Sequence, residues 1–260
     1  MRVRQAGAIR YYQFESFDQP HLTHAIFARH GGVSAGPWAS LNMSISVGDS
    51  RENVRENRER AFRAVGLPPD SVADLWLVHS ADVVAAEAPR DLNADAARAD
   101  VIITDRPDVT LFLRFADCVP VLLYDPVRRA AGLVHAGWRG SLLKAAAAAV
   151  RALAERYGSR PQDLIAGIGP SIGPCHYEVG PEVAAQTRAV FDGRAAGLLL
   201  DVGGRTHLDL WAANAEALRA AGVGQIEIGG VCTACRTDDF FSHRGERGQT
   251  GRFGALLALR

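Results

Sequence analysis

Phe115-Ala116-Asp117-Cys118-Val119-Pro120-Val121-Leu122-Leu123-Tyr124-Asp125-Pro126 and, a few residues on, Ala130-Ala131-Gly132-Leu133-Val134-His135-Ala136-Gly137-Trp138-Arg139-Gly140 decide how this chain is read. Two β-rich runs, 119–124 and 130–134, flank Asp125-Pro126, a turn signal. The spacing predicts adjacent strands, with Cys118 at the start of one and His135 at the end of the other. A third donor, His79, closes another apolar run, Leu75-Trp76-Leu77-Val78. A thiolate and two imidazoles suit zinc, and three protein ligands instead of four leave a position for water or substrate, as in a catalytic site. The long spacings match no short zinc signature, and an ordinary buried cysteine would read the same way. The loop His135-Ala136-Gly137-Trp138-Arg139-Gly140 favours the ligand reading: its small residues let backbone approach a ligand, and Arg139 offers a planar fork to an anion.

With 260 residues, 48% of them hydrophobic, the chain can bury a large core, and no linker divides it, so one domain over residues 1–260 is expected. The 29 basic and 29 acidic residues cancel, which argues against a global field that would recruit nucleic acid or an anionic membrane. Any anion must be held locally. No apolar stretch follows Met1-Arg2-Val3-Arg4-Gln5-Ala6, and no run approaches the ~18 apolar residues of a membrane span, so a cytoplasmic protein without a membrane partner is expected. Four cysteines, at 118, 175, 232 and 235, are too few for a disulfide scaffold and read as thiols or ligands.

Strands are expected at 22–29, 41–47, 74–78, 83–86, 101–104, 110–115, 164–168, 226–231 and 255–259, besides the two already named. Helices are expected from a Ser50 cap to Val65, over 141–157 with Gly158 as its stop, and over 181–191 and 208–221. Strand runs cluster while helices are scattered, which favours an α+β fold with a mixed sheet over a βαβ array. Arg29, His30 and Asn42 flank the glycine-rich loop at Gly31-Gly32 and are candidates to face a ligand. The loop 169–180 carries Cys175, His176, Tyr177 and Glu178; Cys232-Thr233-Ala234-Cys235 is a lone Cys-x-x-Cys, weak evidence for zinc by itself. Arg244 follows Phe240-Phe241-Ser242 and suits a phosphate or carboxylate.

Ala116 to Val121, His135 to Gly140, Ile168 to Cys175, Tyr177-Glu178-Val179-Gly180 and Phe240-Phe241-Ser242 resemble, in order, motifs of the family variously called laccase-domain, polyphenol oxidase or YfiH/YlmD-like proteins. The likeness begins at Arg29-His30-Gly31-Gly32-Val33-Ser34 with Ser40-Leu41-Asn42 and ends at Thr250-Gly251-Arg252. It implies a single YfiH-like α+β domain of mixed sheets layered with helices. It implies a metal site on His79, Cys118 and His135, read here as Zn2+; copper, which binds nitrogen and sulfur donors more tightly, can substitute. The activity implied is phosphorolysis of adenosine, inosine and S-methyl-5'-thioadenosine, together with deamination of adenosine. The partners are then a purine nucleoside and phosphate, handled by a monomer or small homo-oligomer.

The resemblance also singles out Arg58, and it adds Cys232-Thr233 and Phe240-Phe241-Ser242 to the wall of the site. Arg58, Arg139 and Arg244 become candidate phosphate clamps, Arg29, Asn42 and Cys175 substrate contacts, and Asp117, Cys118 and Glu178 catalytic groups. Where family members usually carry Gln, Thr and a second Cys, this chain has Leu77, Phe115 and His176. With Leu77 and Phe115 apolar, loss of a hydrogen bond to the ligands is expected, with weaker metal binding or slower turnover, while the His176 imidazole is either surface or a new ligand. Two other functions remain. A copper-dependent phenol oxidase needs many imidazoles, typically with His-x-His pairs, and the histidines at 21, 24, 30, 79, 135, 176, 207 and 243 contain none. A thiol hydrolase or amidase of peptidoglycan precursor editing would use Cys118 as nucleophile and His135 as base, without the metal.

Overall fold

The computed structural model describes residues 1–91 and 94–260. Its strands are β1 (Arg2–Ala6), β2 (Ile9–Gln13), β3 (Leu22–Phe27), β4 (Val72–Ala73), β5 (Val83–Ala85), β6 (Val101–Thr104) and β7 (Thr110–Phe115). They continue as β8 (Val119–Asp125), β9 (Ala130–Ala136), β10 (Ile165–Ile168), β11 (Leu199–Val202), β12 (Arg205–Leu208), β13 (Gln225–Ile228) and β14 (Phe253–Leu259). The helices are α1 (Arg51–Ala64), α2 (Trp138–Leu142), α3 (Ala145–Tyr157), α4 (Pro181–Phe191) and α5 (Leu210–Ala220).

Two six-stranded sheets run β1-β2-β3-β14-β7-β4 and β13-β10-β8-β9-β6-β5, with β11 and β12 forming a separate hairpin. Parallel pairing occurs at β4·β7, β5·β6 and β10·β13 and antiparallel pairing elsewhere, so both sheets are mixed. Strands β8, β9 and β14 are buried along their whole length, which is why they read as unbroken apolar runs. Phe115, Phe253 and Leu257 of the first sheet pack with Leu122 and Leu133 of the second, forming the core between the sheets. The outer face of the first sheet is covered by Ala61 and Phe62 of α1; that of the second by Ala149, Leu153 and Leu218 of α3 and α5. The layers are thus helix, sheet, sheet, helix. Among the described residues no helix is long and apolar enough to cross a membrane.

Ser50 caps α1 by accepting from the Asn53 N–H at 3.1 Å, and Gly66 ends it in the left-handed region. Three expectations fail for local reasons. Residues 41–47 do not form a strand, because the Asn42 amide bonds the Ser44 carbonyl and Asp49 while its oxygen takes the Ser44 N–H, folding the chain into a turn that ends at Gly48. The expected helix 141–157 is split into α2 and α3 by Lys144, which sits at φ 56°. Residues 74–78 supply one isolated bridge, Trp76 to Arg98, after the short β4. The β1–β2 hairpin was not legible, because β1 is exposed over most of its length and carries no apolar face.

Burial also sets an acid limit on this fold. His24 of β3 is 2% exposed, packs against Phe14 and Phe17, and accepts the Phe14 N–H at Nε2 (2.8 Å). Burial lowers its pKa from 6.5 to about 4. The unfolded chain therefore binds the extra proton first, so stability present above pH 6.5 is lost as the pH falls towards 4. The loss amounts to ~3 kcal/mol. Urea midpoints should fall between pH 7 and 4 in the wild type, and much less in His24→Gln, whose amide oxygen can still accept from Phe14. An unchanged slope in the variant would assign the acid sensitivity to another group.

Candidate metal centre

Pairing of β8 with β9 sets Pro120 opposite His135 and Val119 opposite Ala136, so Cys118, one residue ahead of β8, arrives at the end of β9. His79 enters from the loop beyond Trp76. The ligand atoms of His79, Cys118 and His135 lie within 4.8 Å of one another, with Cys118 Sγ 3.9 Å from His79 Nε2. Bond lengths of ~2.3 Å for Zn–S and ~2.0 Å for Zn–N put the nitrogen and sulfur donors of a tetrahedral site roughly 3.3–3.5 Å apart, so the Cys118–His79 pair at 3.9 Å has only to close by a few tenths of an ångström around one ion. Gly137 makes the room. A Cβ there would stand 2.9 Å from Cys118 Sγ and 3.1 Å from His79 Cδ2. His79 (φ 63°) and Asp117 (φ 83°) both adopt left-handed backbone, a costly state for non-glycine residues that is concentrated here at one ligand and beside another.

Asp100, just ahead of β6, organises the cluster, and nothing distinguished it in the sequence from any other acid before a strand. It is fully buried. Its Oδ1 lies 2.8 Å from His135 Nδ1, and its Oδ2 accepts the Val78 and Ser80 N–H groups at 3.1 and 2.7 Å. One carboxylate therefore orients the His135 ring and grips the chain on both sides of His79. With the Nδ1 proton directed at Asp100, Nε2 is left for the cluster, the arrangement that fixes a metal-binding imidazole. Burial works to raise the Asp100 pKa, but the bonds from His135, Ser80 and Val78 outweigh it and hold it low. Burial likewise opposes charge on Cys118 and His135, yet each stabilises the other: the thiol falls to about 6 and the imidazole rises to about 9.

Phe115 is fully buried, its ring 5.4 Å from His135 and 5.8 Å from Phe253. It braces the imidazole that Asp100 already orients, so an apolar residue here deprives His135 of no hydrogen bond. Phe115→Thr should cost ~3 kcal/mol through the cavity it leaves, with no gain in metal affinity. Thermal unfolding and chelator competition check both parts, and tighter metal binding by the variant would contradict this account.

The other expected site residues divide. Asp117 is 8% exposed; its Oδ1 accepts Thr233 Oγ1 and Ser242 Oγ, both at 2.7 Å, and its Oδ2 accepts the Arg244 N–H at 2.6 Å. With its carboxylate so engaged, it pins two loops to the Cys118 segment, a different task from the proton transfer expected of it. Arg29 bonds the Ala39 and Thr237 carbonyls and Glu246, and lies over the Phe241 ring at 4.4 Å. Asn42 is fully buried and also accepts the Arg252 N–H, so it serves the fold instead of facing a ligand. Arg58 bonds the Met43 carbonyl and Asp74 and stacks on Phe112, on the α1 side of the first sheet, while His135 packs on Phe115 from the opposite side. Its guanidinium is thus engaged on the face of the sheet away from the three-donor cluster. Glu178 is exposed and paired with Arg205 at 2.9 Å.

Arg139 is exposed, stacks on Trp138 at 4.9 Å, and has no ion pair among the described residues. Arg244 lies over Tyr177 at 5.3 Å and donates to the Glu178 carbonyl. Two neighbours were not anticipated as site residues. Arg252 is half-buried within the field of Cys118 and Asp117, and the quoted Thr250-Gly251-Arg252 motif was the available signal. Tyr177 is pushed up to about 12 by burial, with the charge of Cys118 adding to it. Cys175 stands apart from this set, beside His176, Cys232 and Cys235.

The chain is similar to a purine nucleoside phosphorylase of Deinococcus radiodurans, 42% identical over 241 residues, which cover 92% of this chain and 89% of that protein. It is 37% identical to purine nucleoside phosphorylase YlmD of Geobacillus stearothermophilus, over 89% of this chain and 88% of the other. The crystal structure of Bacillus licheniformis hypothetical protein YfiH superposes with a TM-score of 0.92 at 34% identity, covering 99% of both chains. The family described as multi-copper polyphenol oxidoreductase laccase matches residues 23–260. By that match, by these relatives and by the shared fold, the chain belongs to the laccase-like YfiH/YlmD family.

Proposed function

We propose that the chain is a zinc-dependent purine nucleoside phosphorylase that also deaminates adenosine, with His79, Cys118 and His135 holding the ion. The carrying observation is the convergence of these three donors, with no fourth His, Cys, Asp or Glu joining them among the described residues. Such a set suits a metal that must accept substrate as well as protein. The name shared by the Deinococcus and Geobacillus relatives supports the substrate class.

When bound, the ion supplies Lewis acidity towards an oxygen of phosphate, nucleoside or water. The chain does the rest. Asp100 keeps the His135 proton on Nδ1, and Cys118, with its pKa near 6, is available as thiolate at neutral pH. Arg252 lies in the field of Cys118 and Asp117, Arg244 stacks on Tyr177, and Arg139 follows the Gly137 that abuts Cys118; paired guanidinium N–H groups such as theirs match phosphate oxygens. Tyr177 stays protonated at neutral pH and can donate a hydrogen bond to substrate. Asp117 keeps the Thr233 and Arg244 loops in register with Cys118, so it positions two walls at once. Adenosine, inosine and S-methyl-5'-thioadenosine are the expected substrates, giving free base and the ribose 1-phosphate. Adenosine with water gives inosine and ammonia.

Chromatography of purified protein incubated with each nucleoside, with and without phosphate, tests this reading; no phosphate-dependent release of base would overturn it. Arg139→Ala should lower phosphorolysis ~10- to 100-fold, the worth of a charged hydrogen bond, and deamination much less, because water needs no fork of donors. Equal losses in both reactions would remove Arg139 from the phosphate role. One observation supports a second reading: Asp100, His135 and Cys118 follow the order of orienting acid, base and nucleophile of a thiol hydrolase. Full activity of metal-free protein with Cys118 intact would favour that reading.

A further inference from the structure

Cys175 and His176 belong to the loop after β10, and Cys232 and Cys235 to the turn after β13; neither pair alone is a metal motif. The parallel pairing of β10 with β13 carries the two segments out side by side, and the Ser171–Cys232 bridge continues that pairing beyond the strands. The four donor atoms then lie within 4.8 Å of one another. Cys175 Sγ is 3.5 Å from Cys235 Sγ, and His176 Nδ1 stands 3.3 Å from Cys175 Sγ, 3.3 Å from Cys235 Sγ and 3.8 Å from Cys232 Sγ. These separations are close to the edges of a tetrahedron of three sulfurs and one nitrogen around zinc, roughly 3.5–3.8 Å. They are too long for a disulfide, whose S–S bond is ~2.05 Å.

A second observation points the same way. The Gly173 N–H donates to Cys232 Sγ at 3.2 Å, and a Cβ on Gly173 would come within 3.1 Å of Cys232 Cβ. The loop is thus shaped to lie against that sulfur.

We propose that Cys175, His176, Cys232 and Cys235 form a second metal site, a closed Cys3His site for zinc, distinct in its residues from the His79–Cys118–His135 centre. Four protein donors complete the shell, so its role is to join chain segments, while the three-donor centre keeps a position for substrate. What it joins matters. One segment continues into Tyr177 and Glu178, against which Arg244 rests; the other includes Thr233, which donates to Asp117 beside Cys118. The ion would hold both segments in fixed relation.

The test measures zinc per chain in protein purified under reducing conditions, loaded with zinc and desalted. Two ions are expected in the wild type, one in Cys235→Ser, one in His79→Ala and none in the double variant. His79→Ala leaves all four proposed donors in place, so it tests the site even if Cys235→Ser fails to fold. Cobalt(II) added to metal-free His79→Ala should give the visible bands of a tetrahedral site, with sulfur-to-metal charge transfer roughly three times that of a single thiolate. A single zinc in the wild type, no cobalt spectrum in His79→Ala, or a Cys175–Cys235 disulfide revealed by thiol titration would each overturn the proposal.

Discussion

His135→Ala is expected to remove one metal ion per chain and to lower phosphorolysis and deamination together by ~1,000-fold, about 4 kcal/mol of transition-state stabilisation. His79→Ala should lose the same ion and the same activities, since either substitution leaves two donors. The variants should differ in stability. His135 is 5% exposed and partners the buried Asp100, so its removal strands a carboxylate, whereas His79 is exposed and its loss strands nothing buried. Metal analysis, both assays and urea unfolding on the pair check this. Substantial phosphorolysis by metal-depleted His135→Ala would refute a shared metal centre.

Asp100→Ala should be nearly as damaging without touching a ligand. The substitution leaves His135 Nδ1–H and the Val78 and Ser80 N–H groups without an acceptor; an orphaned buried donor such as His135 Nδ1–H costs ~1–3 kcal/mol, and the two part-buried backbone donors less. Metal affinity should also fall ~10- to 100-fold, as is usual when the partner of a metal-binding histidine is removed. Asp100→Asn separates the two effects: its amide oxygen can still accept from the backbone, so more stability returns, but the carboxylate charge beside His135 is gone. In metal-free protein the imidazole pKa, held up in part by Asp100, should drop in that variant, as NMR titration would reveal. Metal affinity unchanged in both variants would reduce Asp100 to a purely structural residue.

The fold was legible where burial is two-sided. β7 begins and ends where its apolar run does, and β8 and β9 extend the predicted strands by one and two residues. It was hidden where side chains fold the backbone locally, as Asn42 does, or where a strand such as β1 faces solvent. The site divides in the same manner. Cys118 and His135 could be paired from the Asp125-Pro126 turn, while His79 was only a donor at the end of an apolar run until the family likeness supported it, because no local pattern records that Asp100 draws its loop in. Arg29, Asn42 and Arg58 look like ligand contacts in sequence, yet Asp49, Asp74 and Glu246 already hold them. A motif shows which side chains a fold needs, and only their partners distinguish support from chemistry. Cys175-His176 and Cys232 to Cys235 were each visible, but their meeting depends on β10 and β13 running parallel.

β14 has a further consequence, for how the protein is made. It lies between β3 and β7 and is hydrogen-bonded to both, although it is the last strand in the chain. The hairpin and strand at the beginning of the chain thus have no neighbour in their sheet until the end arrives. Such distant pairing slows folding and leaves apolar edges uncovered in the meantime. Phe253 of β14 also backs Phe115, which backs His135. A chain in which β14 has not yet paired would hold every ligand of the three-donor cluster but not the wall behind it, so full metal capture should follow the docking of β14 between β3 and β7.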